Sequence, residues 1–207
     1  MNIKDKGFIL RKTEYGDYDF IATFYTEKIG KTSLIIKNAR KSKKRFIGRL
    51  EPFNLMHLKF RYNINPETSS ILNEVRIDSE YNNTGLSKET IILCSLVNEY
   101  IDAFEINEVP KKEAFQIIQN FFSKISTANH TKVLERTLNF QLSYLTSLGL
   151  KPTPIELEKI DGQKIELSKS KLKNNNSSKL KLIRILAKFS QFHSGKELNS
   201  VQYLDLL

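Results

Sequence analysis

One cysteine, no tryptophan and two methionines occur in the 207 residues. The lone Cys94 excludes an intrachain disulfide and any zinc site built from several cysteines, and it suits a reducing compartment. The histidines, His57, His130 and His193, stand isolated, so no Cys/His ligand spacing exists. No segment reads GxxxxGK[ST] or GxGxxG, which leaves nothing of the usual kind to cradle a nucleotide phosphate. Apolar runs fall short of the roughly 18–20 residues of a membrane span. The opening MNIKDKGFILRKTEYGDYD lacks the sustained apolar stretch of a secretory signal. These absences predict no cofactor, no metal, no catalytic nucleophile with a supporting motif, no membrane contact and a cytoplasmic setting.

What remains is an ordinary globular balance, 40% hydrophobic and 27% charged, with a formal net charge of +10. A basic excess favours polyanionic partners. It is unevenly spread: residues 1–80 hold 16 Lys+Arg against 10 Asp+Glu, and residues 81–207 hold 17 against 13.

The first 80 residues carry strand patterns. GFILRKT is a short strand, and DFIATFYTEKIGKTSLIIK is a hairpin turning at Gly30. LEPFNLMHLKFRY and ILNEVRID follow, separated by the loop NINPETSS. About five short strands in this length predict a small closed barrel, of the oligonucleotide-binding (OB) or the SH3-like kind. After Asn83-Thr84-Gly85 the period becomes helical. Ile91, Leu93, Leu96, Val97, Tyr100, Ile101 and Phe104 form one stripe from Ser87 to about Phe104. Pro110 opens a second helix bearing Phe115, Ile118, Phe122 and Ile125. A third runs from about His130 to Leu148 with Leu134, Leu138, Leu142, Leu145 and Leu148 inward, stopped by Gly149 and Pro152. The stretch DGQKIELSKSKLKNNNSS is polar and loop-like, and helices from about Lys179 to Phe192 and from about Leu198 close the chain. The fold class is therefore α+β: a barrel over 1–80 and an all-α domain over 81–207.

Between the hairpin and the next strand lies the densest charge. Lys37, Arg40, Lys41, Lys43, Lys44, Arg45 and Arg49 fall within 13 residues containing no acid. Such density displaces counterions from a phosphate backbone. Phe46 lies inside the run, with Tyr15, Tyr18, Phe60 and Tyr62 near in sequence, and OB grooves combine cations with aromatic faces. For each single aromatic, core packing is the expected role. Arg11 and Arg61 on flanking strands complete the candidate DNA-binding set. Lys169, Lys171, Lys173, Lys179, Lys181 and Arg184 form a second basic cluster, read either as a solvated face or as a weaker DNA contact. Glu14, Asp17 and Asp19 admit a Mg²⁺-dependent nuclease, although such carboxylates more often cap a turn or pair with cations.

In order, these segments resemble the RecO family, bacterial recombination mediators of DNA repair. GFILRKTEYGDYDFIATFYTEKIGKTSLIIKNARKSKKRFIGRLEPF is similar to the family's N-terminal OB barrel. SLVNEYIDAF, FQIIQNFF and VLERTLNFQLSYLTSLGLKP are similar to its helical domain. Arg136, Leu142, Leu145, Gly149 and Pro152 are in step with the family pattern there, and Thr137 and Asn139 depart from it. LAKFSQFHSGKELNSVQYL resembles the closing helices. Where many members carry a four-cysteine zinc module, this chain has PIELEKIDGQKIELS, so the zinc module is absent. The resemblance implies a non-catalytic, nucleoid-associated protein that binds single- and double-stranded DNA and anneals complementary strands. It also implies work with RecR to help RecA replace single-strand-binding protein (SSB), whose acidic C-terminal tail docks on the helical domain. Lys132 and Arg136 are the candidate cations for that tail. The competing readings are an RNA-binding barrel and an adaptor for SSB or RecR with little direct DNA contact.

Overall fold

The computed structural model describes residues 1–42, 44–65, 68–123, 125–163 and 175–207. Five strands, β1 (Asn2–Tyr15), β2 (Asp19–Thr26), β3 (Gly30–Ile36), β4 (Met56–Arg61) and β5 (Ser70–Ile77), close into a barrel. The order around it is β1-β2-β3-β5-β4, with β4 returning to β1. Every pairing is antiparallel except the short parallel contact of β3 with β5. This is an OB-like arrangement, which resolves the choice that strand pattern left open. β4 shows why the sequence closes this way. Met56, Leu58 and Phe60 are buried while His57, Lys59 and Arg61 are exposed, the strict alternation of a strand with one apolar face. Ile9, Ala22, Phe24, Leu34, Ile36, Leu72 and Val75 complete the barrel interior.

β1 is longer than GFILRKT, and a register shift between Ile9 and Arg11 bends it so that it pairs with β4 at one end and β2 at the other. At Gly7 the strands approach so closely that a Cβ would sit 2.6 Å from the Tyr25 carbonyl oxygen. Only glycine fits there.

Contacts divide the chain into two units: Met1–Thr84 with Glu105–Lys124, and Gly85–Phe104 with Ile125–Leu207. The division differs from a single cut near residue 80, because α2 (Lys112–Phe122) belongs with the barrel. Phe115 and Phe122 pack at a tilt against the outward-facing Phe8, with centroids 5.9 and 5.1 Å away, and Phe122 stacks on Phe53 at 5.9 Å. The connection into α2 is tied to β3 through the Glu108 amide, which donates to the Lys31 carbonyl at 2.9 Å. Pro110 precedes that helix rather than opening it, since Lys111 is the N-cap.

The second unit contains α1 (Lys88–Phe104), α3 (His130–Ser147), α4 (Pro154–Asp161), α5 (Asn176–Ser194) and a closing 3-10 segment, Asn199–Leu206. Its core joins Leu93, Leu96, Val97 and Tyr100 to Tyr144, Leu145, Ile183 and Leu186. Gln141 donates to the Tyr100 hydroxyl at 2.7 Å and the Ile183 carbonyl at 3.1 Å, which satisfies polar atoms in that core. Ile91 is 44% exposed, and Ile92 takes the buried position instead. On α3 the buried face is carried by Val133, Leu134, Thr137, Leu138, Phe140, Gln141, Tyr144 and Leu145, while Leu142 and Leu148 are half-buried. Sequence reading passed over α4. Its signal was present: Thr153 and Glu156 form a reciprocal capping box around Pro154 at the first turn. Among the described residues no helix is long and apolar enough to cross a membrane.

Candidate nucleic-acid interface

The basic segment from Lys37 to Leu55 is anchored at intervals. Ala39, Phe46 and Leu50 enter the barrel core and leave Arg40, Lys41, Lys44, Arg45 and Arg49 outside. Phe46, at 2% exposure, is thus a plug and not a stacking surface, and Phe60 is likewise interior. The Ser42 hydroxyl accepts from the amides of Arg45 and Phe46, which turns the chain sharply there.

Anchoring splits the predicted cations into two groups. Arg40 and Lys41 lie against the β1–β2 turn. The Arg40 guanidinium meets Glu14 at 3.2 Å and the Asp17 carbonyl at 3.2 Å, and the Asp19 carboxylate accepts from the Asn38 amide at 2.7 Å. The Lys41 ammonium sits over the Tyr18 ring, 3.4 Å from its centroid. A run without acids in sequence therefore acquires them in the fold. Glu14 and Asp19 are occupied in holding the loop, and among the described residues no group of three or more His, Cys, Asp or Glu is arranged to hold a metal.

Arg45 and Arg49 turn the other way. They line a groove of about 780 Å³ on the outer face of β1, β4 and β5, together with Lys4, Lys6, Lys28, Lys59 and Arg76. The register explains the gathering. Lys4 pairs with Lys59, which pairs with Glu74, and Lys6 pairs with His57, which pairs with Arg76. Seven cations face three carboxylates there, Asp5, Glu27 and Glu74. Two of those acids have partners, Lys6–Glu27 at 3.4 Å and Lys59–Glu74 at 2.6 Å. Asp5 is buried and accepts from the amides of Lys6 and Lys28, and its burial pushes the carboxyl above its ordinary range. The groove therefore keeps a positive excess along several strand widths, the electrostatic footprint of a polyanion track. Lys4, Lys6, Lys28, Lys59 and Arg76 were not singled out from the sequence. The alternation of β4, with His57, Lys59 and Arg61 on one face, was the signal available.

Residues 1–79 match the family model for the recombination protein O N-terminal domain. The chain is similar to RecO proteins, and its barrel matches the family's N-terminal domain. The DNA repair protein RecO of Syntrophus aciditrophicus is 32% identical over 149 residues, covering 72% of this chain and 56% of that protein. The RecO proteins of Desulfatibacillum aliphaticivorans and Clostridium novyi are 33% and 30% identical, each match covering 70% of this chain and 56% of the relative. The chain thus spans little more than half the length of these relatives.

On the barrel the remaining predicted residues are dispersed. Arg11 is exposed on β1, where its Nε donates to Thr23 at 3.2 Å, and it does not line the groove. Arg61 shares the outer face of β4 with Lys59, one pleat farther along. Lys37 and Lys44 are exposed, and Lys43 lies outside the described residues. Outside the barrel, Lys132 is held by Glu135 at 3.3 Å, and Arg136 is half-buried on α3.

Of the second basic cluster, the three described residues are paired with acids. Lys179 has only 2% of its side chain exposed and meets Glu135 at 3.1 Å. Lys181 pairs with Asp161 at 2.8 Å, and Arg184 with Asp205 at 3.0 Å. The Lys179 ammonium, seconded by Lys132, holds the Glu135 carboxyl below the usual carboxylate range. Lys169, Lys171 and Lys173, with most of the polar stretch around them, lie outside the described residues. Cys94 is fully buried and burial pushes its thiol up, so it keeps its proton and packs.

Proposed function

We propose that this chain is a non-enzymatic DNA-repair mediator that holds single- and double-stranded DNA on its barrel and anneals complementary strands. The observation that carries this reading is the groove on β1, β4 and β5, into which the inter-strand loop delivers Arg45 and Arg49. Its cations come from strands and a loop that the fold fixes in place, and its lining offers no pattern of base-reading amides. It suits the phosphate backbone of any sequence, with strong salt dependence. Annealing needs two like-charged strands brought together with their repulsion screened. A cationic surface does this without a nucleotide cofactor. Kinship with RecO proteins supports a place in DNA repair and recombination, in the bacterial cytoplasm at the nucleoid. In this reading the chain acts with RecR to help RecA replace SSB at gaps and double-strand breaks. The helical unit would receive the SSB tail, with Arg136 a better candidate than Lys132, whose ammonium Glu135 already engages.

The test is annealing of two complementary DNA strands, bare and SSB-coated, without ATP, beside a salt titration of binding. Matched RNA strands serve as competitor. We expect acceleration by the intact chain. We also expect its loss, with a decrease of roughly 0.7 in the log–log salt slope per phosphate contact removed, when Lys4, Arg45, Lys59 and Arg76 become Glu. A chain that binds neither polymer, or prefers RNA, overturns the reading.

A further inference from the structure

We propose that the β1–β2 turn is a second nucleic-acid site on the barrel, distinct from the groove, in which Tyr15 and Tyr18 stack on unpaired bases. The inference rests on the DNA-binding reading and adds what the groove lacks, a way to tell a single strand from a duplex. The turn has only three residues, since Tyr15 pairs directly with Asp19. Gly16, at φ +55°, allows so short a reversal. It leaves a tyrosine on each side of the bend, and both stay in solvent, Tyr15 at 51% and Tyr18 at 41% exposure. None of the thirteen groove-lining residues is a phenylalanine, tyrosine or tryptophan.

Two further observations separate this turn from an ordinary solvated one. It is held in place by the basic loop: the Arg40 amide donates to the Tyr18 carbonyl at 3.0 Å, and the Arg40 side chain reaches the Asp17 carbonyl and Glu14. The rings are thus presented on a fixed backbone, which lowers the ordering cost of binding. Second, the Tyr18 ring already takes a cation, the Lys41 ammonium 3.4 Å from its centroid. A base has a π-face that the same ring accepts, and its phosphate is an anion that the ammonium prefers. On binding, the base takes the ring and the flexible lysine stem lets the ammonium follow the adjoining phosphate. Paired bases have their faces covered by their neighbours in the helix, so the site selects unpaired strands. One barrel then holds backbone in the groove and bases at the turn.

The test uses the full chain with Tyr15→Ala, Tyr18→Ala and both Phe counterparts. A thymidine oligonucleotide and a matched duplex are titrated over a range of salt. The expected result is a loss of single-strand affinity of about tenfold per ring removed. Phe restores it, the salt slope is unchanged because no charge is removed, and duplex affinity moves less than about twofold. Equal losses on both ligands, or no loss on either, overturn the site while leaving the groove reading intact. If the unaltered chain binds neither ligand, both readings fall together.

Discussion

Two clusters of lysine and arginine, alike in sequence, have opposite fates. In the helical unit, Lys179, Lys181 and Arg184 are each bound to an acid of the same unit, and Lys179 is withdrawn from water. On the barrel, Arg45 and Arg49 reach a groove where cations outnumber acids seven to three. The difference teaches that cation density says little until the partners brought by tertiary structure are counted. Charge in the first cluster serves cohesion, and in the second it exceeds the acids beside it. Reversing the same charge in the two places should therefore move different observables. The largest effect is expected from Lys179→Glu, which sets a buried acid against Glu135. Breaking a buried pair costs about 3–5 kcal/mol, so denaturant unfolding of the helical unit should shift to a much lower midpoint. A midpoint within experimental error of the parent would show that Lys179 is solvated and that the contrast between the clusters is false.

Second in size is the reversal of Lys4, Arg45, Lys59 and Arg76. All four are exposed, and surface changes of this kind usually stay within about 0.5 kcal/mol each. Stability should barely move, while DNA affinity near 50 mM salt falls by about 100-fold, or ~2.7 kcal/mol. Full binding by this variant would place the DNA elsewhere.

How much of this could be read from the chain follows from the range of each signal. Strand alternation is local, so Met56–Arg61 and the hairpin over Asp19–Ile36 were legible. Phe46 inside the basic run was a legible mark of an anchored loop, although it admitted a stacking role that its burial removes. The groove was not legible. Lys6, His57 and Arg76 become neighbours only through the pairing of β1 with β4 and β4 with β5, across separations that no window spans. The same holds for α2. Its apolar face is plain in Phe115, Ile118 and Phe122, but periodicity reports that a face is buried and not against what. The acids on the β1–β2 turn were read as a possible metal set because their partners, Arg40 and Asn38, lie some twenty residues on.

Those acids supply a smaller test. Glu14 is 65% exposed and engages only an edge of the loop, through Arg40. Glu14→Gln removes an opposing charge from the basic loop without disturbing the barrel core. DNA affinity should rise about two- to threefold at low salt, and the gain should vanish at high salt. In the helical unit, the comparable Glu135→Gln would leave the Lys179 ammonium buried with a neutral partner, and the readout there would be lost stability, with no gain in binding. A rise in DNA affinity from Glu135→Gln would erase the distinction between the two clusters.

The finest test sets the two acid-range slopes against each other. Glu135 titrates below its ordinary value of 4.5 because the Lys179 ammonium hydrogen-bonds its charged form. Its contribution to the helical unit is present above pH 4.5 and is lost as pH falls through the depressed value, since the unfolded chain then binds the proton first. Asp5 behaves in the opposite sense. Burial raises it above 3.8, so the folded barrel takes up the proton more readily than the unfolded chain. Acidification through that window favours the folded barrel, and its contribution is lost as pH rises through the raised value. Amide hydrogen exchange, read separately for strands and for helices between about pH 3 and 5, should show these two slopes with opposite sign. Asp5→Asn should flatten the first slope and Lys179→Met the second. Slopes of one sign in both units would mean that acid in the barrel groove is stabilised by its cations as fully as in the helical unit, and that the groove has less charge to spare for DNA than its lining suggests.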